Sequence, residues 1–159
     1  GLRLPRLMFG GGQEKGMRPG TEPLPNIAAF AKACEIRMAH FDEDFQHVQS
    51  LADYLHQQVA ALLPDAAFNG ASDIPHVVNL SLPGCKSEVM LRVLEGNEVY
   101  VSSGSACSKG KQSGVLKALG LPKVRTDSAL RVSFCPSNTT DDVDAFMAAV
   151  QKGRKMLVR

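Results

Sequence analysis

The chain has 159 residues, 44% hydrophobic and 21% charged. That suits one soluble globular domain or a little more, with enough chain to bury a core. A net charge of +2 with no basic block gives no reason to expect a nucleic-acid partner. No apolar run is long enough to cross a membrane, and none is expected to serve as a membrane anchor. Residues 2–9 are too short and broken for a signal peptide, and the first residue is Gly, which fits a piece of a longer protein. Cys34, Cys85, Cys107 and Cys135 form no C-x-x-C pair, so reduced thiols in a cytoplasmic setting are expected, with no metal site.

Taken in order, residues 2–9 have strand-like apolar content limited by Pro5. Gly10-Gly11-Gly12 and the polar run to Glu22 read as loop, with Gly16, Pro19 and Gly20 as breakers. That loop is either a surface turn or an anion cradle with Arg18 and Thr21 as donors. Residues 26–63 predict a long helix. Ile27, Phe30, Ala31, Cys34, Met38 and Phe41 line one apolar face, and Phe45, Val48, Leu51, Leu55, Val59 and Leu62 continue it as core. Asp42-Glu43-Asp44 marks a joint or a solvated turn, and Pro64 stops the helix. Residues 67–70 suit a short edge strand and 76–82 a better one. Ser87 is placed to cap a helix over 88–94, ended by Gly96-Asn97. Residues 98–101 read as a strand, 113–119 as a helix and 129–134 as a third good strand. Thr140 is placed to cap a last helix over 141–158, with acids at its start and bases at its end. Strands separated by helices predict a small α+β layer.

The stretch the rest is organised around is Val101-Ser102-Ser103-Gly104-Ser105-Ala106-Cys107-Ser108-Lys109-Gly110-Lys111. It has no apolar face to bury, so it reads as a solvent-facing loop. Cysteine is usually a small buried hydrophobe. Here Lys109 and Lys111 stand close enough in sequence to favour the thiolate. Cys107 is therefore a nucleophile on an arm, or an incidental thiol in a linker. Leu130-Arg131-Val132 sets an arginine amid strand residues. It needs a partner there, either an internal carboxylate or a ligand's.

Three ordered motifs carry a resemblance. Ser102-Ser103-Gly104-Ser105-Ala106-Cys107 resembles the active-site cysteine loop of the NifS-like (group I) cysteine desulfurases of the class-V aminotransferase family. Gly10-Gly11-Gly12-Gln13-Glu14 running into Arg18-Pro19-Gly20-Thr21-Glu22 is similar to a second family segment. Ala129-Leu130-Arg131-Val132-Ser133-Phe134 with Thr139-Thr140-Asp141-Asp142 is similar to a third. The resemblance implies the C-terminal domain of a fold-type I pyridoxal-phosphate enzyme, an α+β small domain with a short piece of the large one. Residues 1–25 would be the large-domain remnant, and 26–159 the linking helix and small domain.

The resemblance also implies roles. Cys107 would be the nucleophile that takes sulfur from L-cysteine, Arg131 would hold the substrate α-carboxylate, and Thr21 would reach across a homodimer to the cofactor phosphate. The cofactor would be pyridoxal 5'-phosphate, and the persulfide would pass to a sulfur-acceptor or scaffold protein. Two departures stand out. The family's cofactor lysine follows a histidine, and no His-Lys pair occurs in these residues, so the segment alone is expected to be inactive. Cys135-Pro136-Ser137 replaces the glycine- and arginine-containing turn usual after the arginine strand. Selenocysteine lyase, a persulfide carrier without cofactor, and a small domain with an incidental thiol are the alternative readings.

Overall fold

The computed structural model describes residues 5, 6, 8–70, 74–104 and 113–157. Cys107, in the stretch 105–112, lies outside them. The chain divides into two compact units, residues 1–41 and 42–159.

The first unit holds a single 3-10 turn, Glu14–Gly16, and helix α1, Leu24–Ala39. None of its described residues before the 3-10 turn is in a strand. Gly16 sits at φ 77, a conformation in which a side chain would be strained and which glycine adopts freely. α1 enters through a proline in its first turn, where a missing N–H costs nothing.

The expected single helix over 26–63 is two helices. The break is at His40 (φ −120, ψ 12), whose N–H closes back on the Arg37 carbonyl. Helix α2, Phe41–Leu62, starts just before the acidic triplet, so Asp42, Glu43 and Asp44 form its first turn and face the positive end of its dipole. The two halves of the apolar stripe also differ. Val48, Leu51, Leu55 and Val59 are core, as expected, whereas α1 buries nothing: Leu24 is 70% exposed, Phe30 73% and Met38 71%. Periodicity reports an apolar face but not what covers it.

The second unit is a three-stranded antiparallel sheet with helices packed into one hydrophobic cluster. The strands are β1, Ala67–Phe68; β2, Val77–Ser81; and β3, Ala129–Ser133, in the order β1-β2-β3. The register pairs Val78 with Val132, Asn79 with Arg131 and Leu80 with Leu130. The period-2 alternation sends Val78, Leu80, Leu130 and Val132 into the core. They meet Leu51 and Leu55 of α2, Met90 and Leu94 of helix α3 (Ser87–Glu95), and Phe146, Met147 and Val150 of the last helix, Thr140–Leu157. Val77, Asn79, Arg131 and Ser133 therefore take the other face.

Three expected details change. Residues 98–101 form no strand. Val99 N–H bonds Leu94 O at 3.0 Å and Glu98 N–H bonds Glu95 O at 3.0 Å, the 6→1 and 5→2 pair that closes a helix. Glu98 takes the left-handed position at φ 61, so the backbone that would have extended is spent capping α3. The left-handed residue is thus Glu98, not Gly96, which is right-handed (φ −67). Ser87 is the first residue of α3 rather than its cap; Lys86 holds the cap position. Two short helices follow residue 112: α4, Gly114–Ala118, capped by the Ser113 hydroxyl, and α5, Lys123–Thr126. In the last helix, α6, Thr140 is helical. The cap runs backward instead, with the Asp142 carboxylate accepting from Thr139 N–H at 2.9 Å.

Candidate functional site

Arg131 stands at the centre of β3. Its own peptide group is tied outward to the residue that begins the cysteine loop: Arg131 N–H donates to Ser102 O at 2.5 Å, and Ser102 N–H donates to Arg131 O at 3.1 Å. Ser102 then turns the chain, its hydroxyl donating to Gly104 O at 2.7 Å and accepting from Gly104 N–H at 3.3 Å. Cys107 follows Gly104 by three residues in sequence. The sheet thus fixes the root of the cysteine loop to the backbone of the arginine.

The guanidinium itself is unsatisfied. Arg131 Nε is buried with no hydrogen-bond partner, and no carboxylate pairs with Arg131 among the described residues. Among the described residues, then, no internal salt bridge forms at Arg131. An arginine half-buried in a sheet with an orphaned donor is costly to keep unless something outside these residues accepts from it. A planar fork of N–H groups suits a carboxylate held by two bonds.

Beside Arg131 lies a polar network absent from the expectations. Arg125 donates from Nε (3.0 Å) and Nη2 (2.6 Å) to Asn69 Oδ1, and from Nη2 to Phe68 O at 2.6 Å. Asn69 Nδ2 donates to Asn79 Oδ1 at 2.6 Å and to Ser81 Oγ at 2.7 Å, and Ser81 Oγ donates to Arg125 O at 2.8 Å. The signal was present in the sequence as an asparagine between Val78 and Leu80 in the middle of the strand. An open cleft of about 680 Å³ carries Asn69 and Asn79 on its wall, with His56 and Phe68, but not Arg131.

Thr21 lies in the first unit, exposed, with its hydroxyl unpartnered among the described residues. Arg18, its expected companion, spends its guanidinium on Gly20 O at 3.2 Å and Glu14 at 3.4 Å. Of the other thiols, Cys34 and Cys135 are exposed. Cys85 is in the core, and burial pushes its thiol up from the usual value, away from the reactive thiolate.

Comparison with known proteins places this geometry. The model of the aminotransferase class-V family matches residues 9–146. The chain belongs to that family. It is 33% identical over 158 residues to a cysteine desulfurase IscS of Clostridium botulinum and 34% identical over 148 residues to a cysteine desulfurase of a Nostoc species. These alignments take in 96% and 91% of this chain but 40% and 37% of the relatives, so the chain spans about two fifths of their length. Among solved structures, the NifS-like protein from Rickettsia africae superposes with a TM-score of 0.81 at 26% identity, over 97% of this chain and 41% of that one. The fold is that part of the NifS-like fold, and the α+β class expected from the strand and helix pattern is the one observed.

Proposed function

We propose that this chain carries the carboxylate-binding and sulfur-accepting portion of a pyridoxal-phosphate-dependent cysteine desulfurase. The observation that carries the reading is the buried, unpartnered Nε of Arg131 on the strand that anchors the root of the Cys107 loop. In this reading Arg131 binds the α-carboxylate of L-cysteine through its fork. That orients the amino acid and directs its side-chain sulfur toward the arm. The Cys107 thiolate attacks that sulfur. A bond forms between the two sulfurs, the substrate's carbon–sulfur bond breaks, and the electron pair stays with the carbon. The carbon takes a proton to give L-alanine, and Cys107 is left as a persulfide.

Pyridoxal phosphate, when bound, serves as the electron sink that makes the carbon–sulfur bond breakable. The residues present fit part of its cradle. Thr21, exposed and unpartnered, suits one oxygen of a phosphate supplied across a homodimer, but residues 1–159 offer no His-Lys pair to hold the cofactor covalently. A lysine from elsewhere in a parent protein completes the site, and residues 1–25 and 26–159 belong to its large and small domains. The persulfide then passes to an acceptor or scaffold protein, in a cytoplasmic setting.

The test is sulfide release from L-cysteine with added pyridoxal phosphate and a reductant. The 159-residue chain should match a free-cofactor control. A longer chain carrying the His-Lys segment should turn over, and its Cys107→Ala form should not. Turnover by the 159-residue chain above that control would overturn the assignment of the cofactor lysine. Turnover by the longer Cys107→Ala form would overturn the role of Cys107.

A further inference from the structure

The network beside Arg131 has a direction built into it. A guanidinium can only donate, so the Asn69 atom facing Arg125 must be the oxygen. Its other side is then the NH2 group, which donates to Asn79 and Ser81. The Asn79 atom that receives it must be oxygen in turn. Asn79 is left with Nδ2, two N–H donors and no partner among the described residues. An amide is ordinarily free to present either end. Here Arg125 settles the choice through Asn69.

The register fixes where that donor stands. Phe134 N–H bonds His76 O, and Leu82 N–H bonds Ser128 O. Antiparallel pairs alternate, so the hydrogen-bonded pairs of β2 and β3 fall at 78–132 and 80–130. Asn79 and Arg131 are then a non-hydrogen-bonded pair, with Cα atoms about 4.5 Å apart and side chains on one face. Their outward backbone bonds agree: Asn79 O accepts from Asn69 N–H at 2.8 Å, and Arg131 bonds Ser102. The two side chains thus project from the same face of the sheet at paired positions, and neither Asn79 Nδ2 nor Arg131 Nε has an acceptor among the described residues. Arg131 Nε is buried without a partner, a cost that an anion on this face would remove.

We propose that Asn79 Nδ2 is a second donor to the α-carboxylate held by Arg131, and that Asn69 and Arg125 are positioning residues that fix which end of the Asn79 amide meets the ligand. This rests on the reading that the ligand is an amino acid. Arg131 supplies charge and the two-pronged contact. Asn79 supplies a bond from an uncharged donor on the adjacent strand, which restricts rotation of the carboxylate about the arginine and so helps set where the substrate sulfur points.

The experiment uses the longer chain carrying the cofactor lysine, with Asn79→Asp, Asn79→Ala and Asn69→Ala. The Asp variant keeps the oxygen that Asn69 needs and replaces the donor with an acceptor of nearly equal size, so it remains informative if Asn79→Ala fails to fold. The readouts are KM and kcat for L-cysteine, the inhibition constant of L-alanine, and KM for cysteamine, which has no carboxylate. Loss of one charge-assisted bond should raise KM for cysteine and the alanine constant about tenfold in Asn79→Ala, and further in Asn79→Asp. Asn69→Ala should give a smaller rise, while the cysteamine KM stays level in all three.

Folded Asn79→Asp with unchanged cysteine and alanine constants would overturn the proposal. So would a rise shared equally by cysteamine, which would mark a merely structural role. A longer chain that turns over no cysteine yet binds L-alanine in an Asn79-dependent way would sink the desulfurase reading and leave this one standing.

Discussion

At the residue scale, Arg131 separates two functions that usually travel together. Its side chain leaves a buried Nε without a partner, while its peptide group holds Ser102. Arg131→Lys should therefore leave the fold alone and alter binding, since lysine offers a point charge without the planar fork. The expected outcome is a rise of about tenfold or more in KM for L-cysteine in the longer chain, with an unchanged melting temperature. The arginine was legible as a residue in need of a partner. Whether that partner was internal was not, because sequence does not say which carboxylates share its neighbourhood. The cysteine stretch was singled out by composition and motif, and residues 105–112, Cys107 among them, lie outside the described residues. Asn79 was legible only as an oddity; its meaning depends on Asn69 and Arg125, ten and forty-six positions away in sequence.

At the element scale, the strands and most helices could be read, and the misreadings concentrate at ends. Residues 98–101 have strand composition, yet the carbonyls of Leu94 and Glu95 claim two of their N–H groups first. Local hydrogen-bond demand at a helix end outranks a short run of β-formers. Glu98 bears a cost for this, since a non-glycine residue in the left-handed region is strained by roughly 1–2 kcal/mol. Glu98→Gly should raise unfolding free energy by about 0.5–1 kcal/mol after the extra freedom of the unfolded chain is counted, as read by urea denaturation. A decrease would mean that the Glu98 side chain holds the turn.

A second element-scale link joins α6 to the turn after α2. Arg154 donates from both Nη atoms to Asp65, at 2.6 and 2.5 Å. That hydrogen bond is the main reason the Asp65 carboxyl sits below its ordinary value of 3.8. A depressed carboxylate stabilises the fold above the unfolded value and stops doing so as pH falls through the folded one. Asp65→Asn should therefore be less stable than wild type at neutral pH, by no more than about 1 kcal/mol because Asp65 is half exposed. The two should converge as pH drops below the usual carboxylate range. Thermal melts from neutral to strongly acidic pH check this, and a gap that stays constant across the range would refute it.

At the scale of the molecule, the two units differ in kind. Residues 42–159 contain the whole hydrophobic cluster, whereas α1 presents Leu24, Ile27, Phe30, Ile36 and Met38 close by in sequence without burying any of them. Residues 42–159 should fold cooperatively alone, with a melting temperature near that of the full 159 residues. The full chain should also show the greater tendency to self-associate, because it carries the larger exposed apolar face. Calorimetry and light scattering on both chains decide it. Loss of the transition in 42–159 would mean that the first unit supports the second. Sequence periodicity predicted one buried stripe on both sides of the Asp42-Glu43-Asp44 joint or turn, since it detects amphipathicity and is blind to the surface that completes it.

The tie between Ser102 and Arg131 is made of peptide groups alone. Any residue other than proline at position 131 keeps both of its bonds, whatever side chain rides above them. In the proposed reading, the point where the chain leaves for Cys107 is thus indifferent to the recognition chemistry next to it. On that reading, substitution of the side chain at 131 retunes specificity without disturbing the backbone tie, and specificity and sulfur delivery become independently adjustable parts.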